Sequence, residues 1–408
     1  MKITNVESFL MSFPMPKEVR LPFWGGIRTI LKRDAMLIKI STDAGLSGWA
    51  PGPAHERARD EINASIKPFL LGKDPAKWKT FDFQGEPELQ KAYHAAEVAI
   101  LDLVGRYEGC ALSELMGGRK RNTIRLYGSA GMYMSPEQYA EEAAAIKDMG
   151  FSAYKMRPAL GPDEDLRTVA LMREATGDDM ALMVDAHTWW RMGTKSYSAE
   201  TIAGLAKAMS PYDPYWLEEP LPPEDHAAYR QLHNAGFVPI ASGEHEQDLS
   251  GFADLANSGA VDFLQMDVCC QGGFEMGLRV FDLAASNGIK FAFHSWGTIL
   301  EVLAAAQLGV CRDESVVEWL EYPCYSTPAR KGMYPFPLSE EILREPLDIQ
   351  NGYLNVPSGK GLGIDVNEGV IGKYPFIPGP WSFFYQDSPR ETIAVTGDHS
   401  IKWITEPT

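Results

Sequence analysis

Cysteine is scarce in this chain of 408 residues. Cys110, Cys269, Cys270, Cys311 and Cys324 are odd in number and scattered, with no C-x-x-C spacing. That excludes a disulfide framework and points to a reducing compartment, so a cytoplasmic protein is expected. Cys269 and Cys270 lie next to Asp267, but nothing near them in sequence would depress a thiol pKa, and buried packing is expected of both. No apolar run approaches the about 18 residues a membrane span needs. The N-terminus opens directly on an alternating strand pattern, without the apolar core of a signal peptide. Positive charge is also short, 38 Lys and Arg against 55 Asp and Glu, for a net charge of −17. A bulk field of that sign argues against nucleic acid or an anionic membrane as partner. It leaves a small anionic ligand open, because a metal and a few local cations can reverse the sign inside a pocket. Low-complexity tracts and internal repeats are absent too.

What is present is a soluble globular composition, 45% hydrophobic and 23% charged, in a chain too long for one ordinary core. Ile3 to Met11 and Ala35 to Ile40 alternate as strands of a small antiparallel sheet. Phe13 to Thr29, rich in Pro, Gly and aromatic residues, reads as a long loop between them. Helical patterns follow at about 55–70 and 90–105. From about residue 123 short apolar runs alternate with helical stretches, giving eight strands at about 124–128, 151–156, 181–185, 215–218, 238–243, 262–267, 291–294 and 316–321. Eight such units favour a closed α/β barrel over an open sheet. Three regions are therefore expected: an α+β domain over 1–122, a barrel over 123–330, and an aromatic-rich tail over 331–408 that returns to the first domain.

Asp185, Glu218 and Glu244 each close a strand-like run, spaced as successive βα units. Side chains at the carboxyl ends of barrel strands converge on one mouth, and converging carboxylates need a cation. An all-carboxylate set selects a hard divalent ion, Mg²⁺ first. In the same register Asp267, His294 and either Glu318 or Glu321 end later strands, and Lys155 and Arg157 share one face of an earlier one. Glu321 is the choice here, strand parity placing Glu318 on the opposite face. Such a set suits removal of a proton next to a carboxylate. The metal and a cationic Lys or Arg would stabilise the enediolate, with His294 oriented by Asp267 as base. Glu321, kept protonated by the surrounding negative charge, would donate a hydrogen bond to the substrate.

AspAlaHis at 185–187, GluGluPro at 218–220, GlyGluHisGlu at 243–246, HisSerTrpGly at 294–297 and GlyLeuGlyIleAsp at 361–365 carry a resemblance to the enolase superfamily, in its mandelate racemase subgroup. AlaGluValAlaIleLeuAspLeuValGly at 96–105 is similar to the family's domain junction. The resemblance implies a modified (β/α)7β TIM barrel with a capping domain built from both chain ends. It implies Mg²⁺ on Asp185, Glu218 and Glu244, Glu218 being the first residue of GluGluPro, and capping loops at about 13–30 and 48–55 that close over substrate. It also makes a homo-oligomer the expectation. Two positions depart from the pattern. Arg157 stands where racemising members carry a second Lys, which weakens a two-base racemase. His187 replaces a frequent Asn and is a candidate acid or base. Trp24, beside Gly25 and Gly26, together with His55 and His245, is assigned to the substrate pocket. The expected activity is dehydration of a sugar acid, an aldonate or aldarate, to a 2-keto-3-deoxy acid. A racemase or epimerase on the same fold and a non-catalytic sugar-acid-binding relative are the alternatives.

Overall fold

The computed structural model describes residues 1–24, 26–158, 160–326, 332–386, 391–395 and 401–405. Gly25 and the expected barrel–tail boundary at 330/331 lie outside them. Among the described residues no helix is long and apolar enough to cross a membrane. The cap is built on an antiparallel sheet. Strands β1 (Ile3–Phe23) and β2 (Gly26–Thr42) form one long hairpin, and β3 (Ser47–Gly52) pairs with the far half of β2. The loop expected over 13–29 is therefore strand, as is most of the loop expected at 48–55. Pro14, Pro16 and Pro22 are tolerated because β1 is an edge strand, where a missing N–H breaks no inner ladder. The register shifts between Ile3 and Asn5 and, beside the prolines, between Pro14 and Val19.

The barrel strands are β4 (Thr123–Met132), β5 (Ala153–Arg157), β6 (Ala181–Asp185), β7 (Trp216–Glu218), β8 (Ile240–Ser242), β9 (Phe263–Met266), β10 (Lys290–Phe293) and β11 (Val317–Pro323). All pair in parallel and in order, and β11 closes on β4. Seven helices connect the eight strands: Pro136–Asp148, Pro162–Thr176, Ala199–Met209, His226–Asn234, Leu249–Asn257, Gly273–Ser286 and Ile299–Gly309. This is the (β/α)7β order. Each strand read from the sequence has its counterpart. The tail then adds β12 (Ile349–Gln350) and β13 (Tyr353–Asn355) beside the start of β4. It returns to the cap as β14 (Ser382–Gln386), antiparallel to β2, and continues as β15 (Glu391–Val395) and β16 (Ile401–Thr405).

The helix Pro87–Glu108 joins the two domains through two buried carboxylates. Glu97 Oε2 accepts from Phe274 N at 2.6 Å, at the start of a barrel helix. Gly273 is required there: its φ is +76°, and a Cβ would lie 2.1 Å from that oxygen. Asp102 accepts from Trp49 N at 2.9 Å in the cap, from Leu362 N at 2.8 Å in the tail, and from Arg106 Nε at 3.0 Å. Its removal would orphan buried donors from three segments at once. Asp102→Ala is therefore expected to lower unfolding stability by about 3–5 kcal/mol, seen as a lower denaturant midpoint.

Candidate active site

The barrel interior is layered by strand parity. At its lower end Tyr127, Ala153, Met183, Trp216, Ala241, Phe263, Ala292 and Trp319 form one buried cluster, large rings set among alanines. Two residues further along most of these strands, on the same face, stand Ser129, Lys155, Asp185, Glu218, Gln265, His294 and Glu321. An apolar plug thus supports a polar floor, and the same alternation that fills the plug aims the floor residues inward. Glu318 has the opposite parity. It accepts from Tyr215 Oη at 2.8 Å and Lys290 Nζ at 3.0 Å, away from the floor.

Lys155 Nζ lies 2.5 Å from Glu218 Oε1, 3.1 Å from Glu321 Oε1 and 3.6 Å from Asp185 Oδ2. Arg157 bridges Asp185 Oδ2 at 3.0 Å and Glu321 Oε1 at 3.2 Å. Burial alone would strip Lys155 of its proton, but Glu218, Glu321 and Asp185 outweigh it and raise its pKa. Both side chains are fixed cations at neutral pH. Asp185, opposed by burial but held by His187, Lys155 and Arg157, lies well below the usual carboxylate range. Glu218 is pushed up to about 8, first by burial and then by the charges of Asp185, Glu244 and Glu321, with Lys155 opposing.

Glu321 departs from expectation. Burial raises its pKa, yet Lys155, His294 and Arg157 together bring it below the ordinary value. It is a carboxylate, accepting from Ser129 Oγ at 2.5 Å and Ser295 N at 2.9 Å. Counting only its acidic neighbours made it look protonated; the cations on both sides decide the sign.

His294 Nδ1 meets Asp267 Oδ2 at 3.1 Å, and Asp267 Oδ1 accepts from Cys269 N and Cys270 N, each at 3.0 Å. The dyad is held by a backbone turn, and His294 Nε2 faces Glu244 Oε2 at 3.3 Å. Burial would lower the imidazole pKa, but Glu244, Glu321 and Asp267 bring it up to about 10. Glu244 is correspondingly pulled down to about 2, against burial, by His294 and His245. His187 Nδ1 sits 2.6 Å from Asp185 Oδ1. His245 bridges Glu219 Oε2 at 2.5 Å and Arg191 Nη2 at 2.7 Å.

The sequence reading missed four participants. Gln265 donates to Glu218 Oε2 at 2.9 Å, Ser129 to Glu321, Trp296 lies under Arg157 at 3.8 Å, and buried Glu219, at φ +43°, carries His245. The first three are uncharged and belong to no charge pattern, so only strand parity could have found Gln265 and Ser129. His55 caps the helix Glu56–Glu61, its Nδ1 accepting from Ala58 N at 3.0 Å. Trp24, 44% exposed, receives Lys195 Nζ on its carbonyl at 3.1 Å, and its ring covers Gly161, so the hairpin tip touches the loops after β5 and β6. Cys269 is buried; Cys270, expected to be buried as well, is exposed.

The donor chemistry fits a divalent cation. Asp185 and Glu218 face each other in register on neighbouring strands, Glu244 follows β8, and the buried Oε2 of Glu244 has no hydrogen-bond partner among the described residues. Among the described residues two other groups have their ligand atoms all within 4.8 Å of one another, Glu219, Glu244 and His245, and Asp267, Cys270 and Glu301; the trio Asp185, Glu218 and Glu244 is not gathered that closely. The first of these groups shares Glu244 with the trio.

Residues 10–117 match the N-terminal domain of mandelate racemase / muconate lactonizing enzyme, and residues 138–370 match the enolase C-terminal domain-like family. A D-galactarolactone cycloisomerase of Agrobacterium fabrum is 29% identical over 395 residues, covering 92% of this chain and 99% of its own. A D-gluconate dehydratase of Thermoproteus tenax is 29% identical over 372 residues, covering 84% and 70%. Among solved structures, the 3,6-anhydro-D-galactonate cycloisomerase of Zobellia galactanivorans superposes with a TM-score of 0.75 at 29% identity, covering 92% of this chain and 100% of that one.

Proposed function

The chain belongs to the mandelate racemase / muconate lactonizing enzyme family of enolase-like proteins, and from that membership we propose that it is a Mg²⁺-dependent enzyme that eliminates a β-substituent from a sugar acid. The first reading is dehydration of an aldonate or aldarate to a 2-keto-3-deoxy acid. The observation that carries it is the one-sided placement of base and cations. His294, oriented by Asp267, turns Nε2 toward Glu244, so an ion on Glu244 would relieve the leading charge that holds its proton, whereas Arg157 on β5 is a guanidinium held by Asp185 and Glu321 and cannot act as a base. One base serves an elimination; a two-base racemase needs a second group able to give up its proton.

Asp185, Glu218 and Glu244 would hold the metal, which supplies Lewis-acid stabilisation to the substrate carboxylate as its negative charge grows. His294 Nε2 takes the α-proton, and Asp267 stabilises the resulting imidazolium. Lys155 and Arg157 meet the developing charge with preorganised donors, and Glu321 holds both in place. His187, tied to Asp185, is the candidate for protonating the leaving hydroxyl. A second reading is favoured by the two relatives named as cycloisomerases: the same proton abstraction expels a ring oxygen instead of hydroxide.

Incubation in D₂O with a library of acid sugars, their lactones and anhydro forms tests all of these. Dehydration gives a keto acid with loss of water; cycloisomerisation gives a keto acid of unchanged mass before exchange. An epimerase would instead place deuterium at the α-carbon without elimination, and a binding protein would do neither. Either of the last two results would end the elimination reading.

A further inference from the structure

A buried guanidinium stands between the cap and the barrel mouth with no counter-ion among the described residues. Arg33, on β2, is 3% exposed, and its Nε and Nη2 have no hydrogen-bond partner. It forms no ion pair among the described residues; its contacts are the rings of Tyr334 at 4.5 Å and Trp381 at 5.1 Å. The adjacent acid, Asp34, is engaged by Lys32 at 2.9 Å and by Ser12 Oγ at 2.6 Å. Arg28 on the same strand is buried as well, lying 4.6 Å over Trp381 and donating to Met132 Sδ at 3.4 Å, at the upper end of β4. The strand thus brings the two guanidinium groups of Arg28 and Arg33 to one wall at the ring of Trp381, while Lys32 between them is paired with Asp34.

The wall is continuous with the polar floor. Tyr334 lies 4.5 Å from Trp296, and Trp296 lies 3.8 Å from Arg157, which holds Asp185 and Glu321. Arg33 is therefore two aromatic rings away from the reacting end. Ring faces attract a guanidinium, but they leave its N–H groups unsatisfied, and a buried donor without an acceptor is costly. A planar carboxylate matches those N–H groups and neutralises the charge.

We propose that Arg33, assisted by Arg28, is a second anion subsite that takes the far carboxylate of a dicarboxylic sugar acid. The substrate class is then an aldarate, whose terminal carboxylate this wall complements. An aldonate ends in a neutral hydroxymethyl group and gives Arg33 no partner. The subsite relies on the elimination reading only for which end of the substrate reacts.

Two matched pairs of probes test it on the full chain with Mg²⁺ present. Galactarate and galactonate differ only at the sixth carbon, and the wild-type protein should favour the diacid. Arg33→Met should cut the diacid-to-monoacid ratio of kcat/KM by at least about tenfold, whereas Arg33→Lys should keep most of it. Adipate and hexanoate carry no leaving group, and calorimetry with them repeats the comparison without chemistry. Adipate should bind the wild-type protein at least about tenfold more tightly, an advantage lost in Arg33→Met. The proposal is overturned if the wild-type protein prefers neither diacid, a result that needs no variant to fold. It is equally overturned if Arg33→Met weakens both members of each pair alike. Adipate preference without any keto acid from any sugar acid would keep the subsite and remove the elimination; keto acid from aldonates without diacid preference would do the reverse.

Discussion

His294→Asn lowers the rate of keto-acid formation by about 10³- to 10⁴-fold and leaves Mg²⁺ bound. Asparagine can keep a side-chain hydrogen bond to Asp267, so the backbone turn through Cys269 and Cys270 survives and only the titratable nitrogen is lost. The carboxylates proposed to hold the ion are untouched, although Glu244 loses its 3.3 Å contact with the ring. Single-turnover product formation measures the chemical step, and calorimetric Mg²⁺ titration measures retention of the ion. A variant that still dehydrates at a near-wild-type rate would transfer the role of base to His187 or Lys155.

Mg²⁺ affinity rises with pH by at least about tenfold per unit between about 6 and 8. The sign follows from Glu218. Burial and three neighbouring carboxylates push it up to about 8, so below that pH the metal-free protein carries a proton there that binding must expel. His294, held up to about 10 with Glu244 as the first of the raising charges, adds a second proton once Glu244 is neutralised. Glu218→Gln should weaken Mg²⁺ by at least about 100-fold and flatten that dependence, while Glu219→Gln should leave the slope intact. The opposite result would place the ion on Glu219, Glu244 and His245. A nitrogen ligand in that set would shift preference from Mg²⁺ toward Mn²⁺ or Zn²⁺. Titration in buffers of different ionisation enthalpy counts the protons directly.

The barrel was legible because its geometry repeats. The ends of β5 to β11 each carried an ionisable residue at βα spacing, and parity then distinguished Glu321 from Glu318. The hairpin was not legible: Pro14, Pro16 and Pro22 are loop signals unless the strand is known to lie at a sheet edge, which is a tertiary fact. Glu321 was misread for a related reason. Its protonation depends on how closely Lys155 and Arg157 approach, and spacing along the chain carries no such distance. Gln265 and Ser129 bear no charge and left no mark in a search for charged residues.

The ring-filled lower end of the barrel has a consequence for traffic. Tyr127, Trp216, Phe263 and Trp319 stopper one end of the barrel, which leaves the polar-floor end, where the tip of the β1–β2 hairpin meets the loops after β5 and β6, as the side of access. In the proposed elimination the water and the keto acid would therefore leave by the same end that admits the substrate.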